Sequence, residues 1–445
     1  MAISKTDKII IVGAGCFGIS TAYHLLKRGF IDVTVIDRSP VLPAPDAAST
    51  DINKIVRSSY PDSYYTKLAR DAISSWKDVE LWGNTYRQSG VLVLGSEDGP
   101  YARDAYENDR TIGARVTELA NTEAIRSVIP SGLRTGSFHG SSGYHNMDGG
   151  WAFAAQGVSK MMAQVEKFGG KVIPGKAAAG LVKEDGRVVA VSCADGSVFD
   201  GDVVVLASGS WTASSFPELD LNTQCLATGQ SIAGIQLTAE EANLYRECPV
   251  IVNFSTGFYM FPPNDDNVVK LALHAAGYTG YPADSDTHIS TPRTITSHGV
   301  DGLLIPREVA KLLRDTLWDI YPELAEKPFA MTRLCWRACF LQVSFRYSDP
   351  MPPRYTDSPD SNWIIGPHPS LSGLVLATAG SGHAYKFLPV IGSLVADAIE
   401  GKMDPAAVER FSPERQFMYV DGSRKPAERL DLADTVMCTP DDLLP

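Results

Sequence analysis

Lys8-Ile9-Ile10-Ile11-Val12-Gly13-Ala14-Gly15-Cys16-Phe17-Gly18 opens the chain's first apolar run and decides the fold. A helical stretch follows, and a second apolar run, Val33-Thr34-Val35-Ile36, closes on Asp37. An apolar strand that feeds into G-x-G-x-x-G, then a helix, a strand and an acid, is a complete dinucleotide-binding unit. Gly13 permits the tight strand-to-helix turn, Gly15 lets a pyrophosphate approach the backbone, and Gly18 lets the helix pack on the strand. The helix N-terminus faces the phosphates, and Asp37 accepts a hydrogen bond from a ribose hydroxyl. A glycine-rich turn without a ligand leaves Asp37 unexplained.

A second strand-then-glycine unit lies far downstream, Gly373-Leu374-Val375-Leu376-Ala377-Thr378-Ala379-Gly380-Ser381-Gly382-His383-Ala384-Tyr385-Lys386, followed by a helix from about Pro389 to Glu400. A nicotinamide enzyme has no evident use for it. A flavoprotein has one, because a returning strand and glycine turn can cradle an isoalloxazine while the first unit holds the ADP half. Val203-Val204-Val205-Leu206-Ala207-Ser208-Gly209-Ser210-Trp211 adds a third strand ending in small residues. FAD is favoured over NAD.

Composition narrows the class. The chain has 445 residues and 44% hydrophobic content, enough for two lobes built from interleaved segments. A net charge of −12 opposes a nucleic-acid partner. No apolar run reaches a membrane span, and no metal site is expected. Seven cysteines without regular spacing read as reduced thiols. The short approach to the first strand and the end Asp442-Leu443-Leu444-Pro445, which lacks a peroxisomal signal, give a cytoplasmic expectation.

The fingerprint, Cys335-Trp336, Tyr355-Thr356-Asp357-Ser358-Pro359-Asp360 with Trp363-Ile364-Ile365, and Ser381–Lys386 together resemble the monomeric sarcosine oxidase family, which includes pipecolate, saccharopine and fungal fructosyl-amino-acid oxidases. The resemblance runs from about residue 8 to residue 400. It implies an α/β protein, with a Rossmann-like FAD-binding domain at 1–90, 150–225 and 355–420 and a mixed-sheet α+β substrate domain at 91–149 and 226–336. A tail at 421–445 wraps the surface. The implied activity is oxidation of the C–N bond of a secondary-amine amino acid by FAD, with electrons returned to oxygen as hydrogen peroxide, in a monomeric enzyme. The side chain of the substrate stays open, N-methylated aromatic amino acids of fungal biosynthesis included.

The same resemblance assigns roles. Lys270, in Lys270-Leu271-Ala272-Leu273-His274, stands over the flavin, where a fixed cation stabilises the anion formed as oxygen takes an electron; a surface lysine on an edge strand is the other reading. Strand alternation puts Lys270, Ala272 and His274 on one face, and His274 is either catalytic or an ordinary strand histidine. Arg57 and Lys386 occupy the carboxylate-clamp positions, with Tyr259 adding a hydroxyl. Arginine suits a carboxylate because its planar fork meets both oxygens. An arginine here favours a free α-carboxylate, as in the sarcosine and saccharopine branch. Arg38, Ser49, Lys54, Gly380, Gly382 and His383 join Gly13, Gly15, Gly18, Asp37 and Lys386 in the cofactor set.

In this family the cysteine at position 335 bonds to the flavin 8α-methyl, which implies covalent FAD; Cys339 is a rival, and a buried structural thiol is the plain alternative. The family runs from Cys-Trp almost directly into its Tyr-Thr stretch, so residues 337–354 read as an insertion, either a retained intron, an added loop over the active site or a specialisation of this chain, and three prolines after Ser348 make it irregular. If that insertion closes the site, the chain is a non-catalytic or dehydrogenase-like FAD protein.

Overall fold

The computed structural model describes residues 3–95, 100–138, 141–222, 224–282, 288–339, 362–415 and 430–445. The apolar run at the N-terminus forms the strand Lys8–Val12, parallel to Asp32–Ile36 on one side and to Val203–Leu206 on the other. The sheet runs Ile364–Pro367, Leu374–Thr378, Val203–Leu206, Lys8–Val12, Asp32–Ile36, Lys171–Ile173, with the first of these antiparallel to its neighbour. Ile9 and Ile11 pack beneath the helices Cys16–Lys27, Ala154–Lys167 and Ile391–Ile399, while Ile10 and Val12 pack against Val188, Val191 and Phe216 on the opposite face. A strand covered on both faces carries no polar alternation, which is why this one reads as an unbroken apolar run.

A ten-stranded sheet forms the second layer. Its centre is the long strand Leu226–Gln236, paired antiparallel with Val268–Leu273 on one side and with Met331–Cys339 on the other. Phe258–Met260, Val250–Asn253 and Val91–Gly95 continue outward, then Ser142–Asn146 and Val116–Leu119. Val269, Leu271, Leu334 and Trp336 face the amphipathic helix Arg307–Trp318 through Ala310, Leu313 and Leu317. The opposite face carries Tyr259, Ala272, Ile232 and Cys335.

Two expectations need correction. The strand Met331–Cys339 continues through Arg337 and Ala338, which pair with Thr228 and Ala227, so the chain does not turn irregular at residue 337. The unbroken register with Leu226–Gln236 holds these residues in the sheet. Residues 340–354 of the expected insertion, and Tyr355–Asp360, lie outside the described residues. The C-terminal segment also does more than wrap. Leu430–Asp431 pairs with Tyr278–Thr279, and Cys438 is buried with its N–H donated to Ile305 O at 2.9 Å. Among the described residues, no helix is long and apolar enough to cross a membrane.

Candidate active site

At the nucleotide end, packing shows why each glycine stands where it does. Gly13 has φ +107°, and a Cβ there would lie 2.5 Å from Ala207 O. A Cβ on Gly18 would lie 1.8 Å from Gly13 O, so only glycine lets this helix approach its own strand. A Cβ on Gly15 would meet nothing closer than Ser49 Oγ at 3.3 Å. Gly15 is the N-cap of Cys16–Lys27 and supplies no side-chain cap, leaving first-turn N–H groups for an anion. Asp37 accepts from the N–H groups of Ala14 and Ser39, both at 2.8 Å, and burial raises its pKa. Arg38 lays its guanidinium over Trp211 at 4.6 Å.

Gly13, Gly15, Asp37, Arg38 and Ser49 line one end of a cavity of about 700 Å³ that continues between the two sheets. Its far end is built on the strand Met331–Cys339. Alternation divides Cys335 from Trp336: the thiol faces the cavity, and the indole faces the helix layer, donating Nε1–H to Arg293 O at 2.6 Å. Lys54 Nζ lies 3.5 Å from Cys335 Sγ and 3.0 Å from Asp51 Oδ2.

The reading of Lys270 as a surface lysine on an edge strand does not hold, since its strand is paired on both sides. Lys270 is fully buried behind the cavity wall, paired with the same Asp51 carboxylate and donating to Asn53 O at 2.8 Å. Lys54, by contrast, lines the cavity. Burial and the neighbouring Lys54 lower the Lys270 pKa to about 8 against the pull of Asp51. Burial alone would raise the Asp51 pKa, but the two ammonium groups outweigh it and hold the carboxyl below its ordinary value.

The expectation that Lys270, Ala272 and His274 share a strand face also needs correction, because the strand ends at Leu273. His274 lies beyond it, lines the cavity, and has Nδ1 2.9 Å from Arg337 Nη1. Arg337 was missed in the sequence because it was read as the first residue of a loop. It shares the cavity face with Cys335, two residues on, and donates to Ala275 O at 2.8 Å. Gly382 makes room for it: a Cβ there would lie 2.2 Å from Arg337 Nη1. Ala379, Ser381 and Gly382 all have positive φ, so this turn is held in a conformation that most residues avoid.

Arg57 and Lys386 are both nearly fully buried and both line the cavity. Arg57 donates to Ser59 O and stacks on Tyr60 and Phe254 at 4.6 and 4.9 Å. Lys386 donates to Tyr60 Oη at 2.8 Å and to His383 O at 2.9 Å. Tyr259 lines the same space, its hydroxyl pKa pushed up to about 12 by burial, so it stays protonated and able to donate. Gly380 and His383 complete this wall.

The profile of the DAO family, described as FAD dependent oxidoreductase, matches residues 8–398. The chain belongs to this family. L-Saccharopine oxidase of Schizosaccharomyces pombe is 29% identical over 419 residues, spanning 89% of this chain and 90% of that protein. Monomeric sarcosine oxidase of an Arthrobacter species is 22% identical over 416 residues, spanning 91% and 95%. Among solved structures, fructosamine oxidase (Amadoriase II) from Aspergillus fumigatus superimposes with a TM-score of 0.83 at 28% identity, covering 98% of both chains.

The cavity of this FAD-dependent oxidoreductase fits its cofactor on its own evidence. The uncapped helix start would take the pyrophosphate, Asp37 the ribose, and the space between Cys335 and the Gly380–Gly382 turn the flavin ring.

Proposed function

We propose that this enzyme oxidises the C–N bond of an amino acid whose amine carries a second substituent, giving an imine or iminium and hydrogen peroxide, on FAD attached through Cys335. The observation that carries this reading is one cavity that joins the dinucleotide loop, the Cys335 thiol and the Arg57–Lys386 pair. When bound, FAD supplies the two-electron acceptor and hands the electrons to oxygen. The protein's part is to bind, orient and hold charge.

Arg57 and Lys386 receive the α-carboxylate, with Tyr259 donating a further hydrogen bond, so the substrate's Cα–H is fixed against the cavity's flavin end. The amine must be neutral to release hydride, so the reductive step quickens as pH rises through the bound amine's pKa. Lys54 and Lys270 share one carboxylate, which leaves one positive charge beside Cys335 to stabilise negative charge as oxygen is reduced. Relatives named for saccharopine, sarcosine and fructosamine support the substrate class. We propose that the working form is the monomer.

The test supplies sarcosine, pipecolate, saccharopine and a fructosyl amino acid to the holoenzyme and measures peroxide. Release with at least one of them, and none with the matching primary alcohol that lacks nitrogen, is expected. Flavin reduction by none of them under anaerobic conditions would overturn the proposal. Acid precipitation tests the attachment separately: flavin should stay with the pellet.

A further inference from the structure

We propose that Tyr60 is the positioning residue of the carboxylate clamp, a single phenol that holds both cations without neutralising either. The inference rests on the reading of Arg57 and Lys386 as that clamp. Tyr60 does not line the cavity; it lies behind the two residues that do. The face of its ring carries the Arg57 guanidinium at 4.6 Å, and its hydroxyl oxygen takes the Lys386 ammonium at 2.8 Å. Lys386 Nζ also lies 5.2 Å from the same ring centroid.

Two cations gathered for one carboxylate repel each other before the substrate arrives. A carboxylate between them would relieve the repulsion and compete with the substrate. A phenol attracts both through its ring quadrupole and its oxygen dipole and adds no negative charge, so the field stays positive for the ligand. The hydrogen-bond order follows from the donors. Lys386 can only donate, so the Tyr60 oxygen accepts from it, and the same hydroxyl lies 3.0 Å from His383 Nδ1, within hydrogen-bond reach.

Tyr60 is itself held. Its carbonyl accepts from Thr66 Oγ1 and Asn108 Nδ2, both at 3.0 Å, and its ring stacks on Tyr65 at 5.4 Å. Loop, helix and glycine turn thus meet on one side chain, and the spacing between the cations is set from outside the cavity.

The experiment titrates the holoenzyme with benzoate and with benzamide and follows the flavin absorbance, in wild type, Tyr60→Phe and Tyr60→Leu. Wild type should prefer benzoate. Tyr60→Phe keeps the ring under Arg57 and loses the Lys386 contact, so benzoate should weaken about tenfold while benzamide is unchanged. Tyr60→Leu loses both contacts and should weaken benzoate severalfold more. Should Tyr60→Leu not fold, Tyr60→Phe decides alone, since it removes one atom. A wild type without preference would overturn the clamp reading and this inference with it. A wild type that prefers benzoate, with Tyr60→Phe keeping its full preference or losing affinity for both ligands equally, would overturn the positioning role alone.

Discussion

Asp51 carries two lysines on one fully buried carboxylate, and that ratio shapes what Lys270 can do. An ion pair with equal charges would be inert to pH over the working range. Here the surplus cation sits in low dielectric, and burial brings the Lys270 pKa down to about 8. Lys54 moves the other way: burial would lower it, but Asp51 holds it above the usual lysine value, so it keeps its proton. The sign for catalysis follows. Lys270 is charged below about pH 8 and loses its charge as pH rises through that value, so reoxidation of the reduced enzyme should slow on the alkaline side. Flavin reduction should rise over the same range, because it needs a neutral amine. Lys270→Met should reoxidise about a hundredfold more slowly, which corresponds to ~2.7 kcal/mol of lost stabilisation, and the alkaline fall should vanish. Stopped-flow measurement of the two half-reactions from pH 7 to 9.5 checks both. A wild-type reoxidation rate that is flat across that range would remove Lys270 from the oxygen step.

The dinucleotide unit makes its own prediction at the level of strand, turn and helix, because its glycines serve different masters. Gly18 faces Gly13 O at a distance no side chain tolerates, so Gly18→Ala should destabilise the flavin-free protein by about 1–3 kcal/mol. Gly15 faces the cavity, so Gly15→Ala should leave the flavin-free protein near wild type and weaken flavin binding instead. Urea unfolding with and without FAD separates the two, and equal losses in both variants would refute the division of labour. This unit was legible in the sequence because its logic is local: apolar run, glycines and acid lie within thirty residues. The Cys335-Trp336 strand was legible in type but not in extent, since the family's Cys-Trp to Tyr-Thr junction set the start of the insertion at Arg337 and Pro350, Pro352 and Pro353 made the whole segment read as irregular. Arg337 as a wall residue beside Cys335 follows only from the register with Leu226–Gln236. The pairing of Asp51 with Lys270 spans 219 positions, and Tyr60 reaches Lys386 across 326. Such contacts carry no periodicity for a sequence to display. Each alone reads as an ordinary loop or strand residue.

Across the whole molecule, one cavity draws its walls from both sheets, with Gly13 and Asp37 at strand ends of the parallel sheet and Tyr259 and Cys335 on strands of the mixed one. A cofactor that fills it binds the folded chain and has no site on the unfolded one, so it stabilises by mass action unless it is already tethered. That distinction tests the covalent proposal without any measurement of turnover. With FAD bonded to Cys335, the wild-type holoenzyme holds its ligand at any dilution, and added free FAD should leave its Tm unchanged. Cys335→Ala keeps the cavity and removes the tether, so each tenfold rise in free FAD well above Kd should add about 1.4 kcal/mol of stability and raise Tm in step. Lys54 donates to Cys335 Sγ at 3.5 Å and so orients the sulfur that must form the bond, so Lys54→Met should yield a mixture of tethered and untethered protein with two melting transitions at limiting FAD. Thermal melts across a range of FAD concentrations measure all three proteins side by side. A wild-type Tm that climbs with free FAD as steeply as that of Cys335→Ala would mean that no bond joins Cys335 to the flavin.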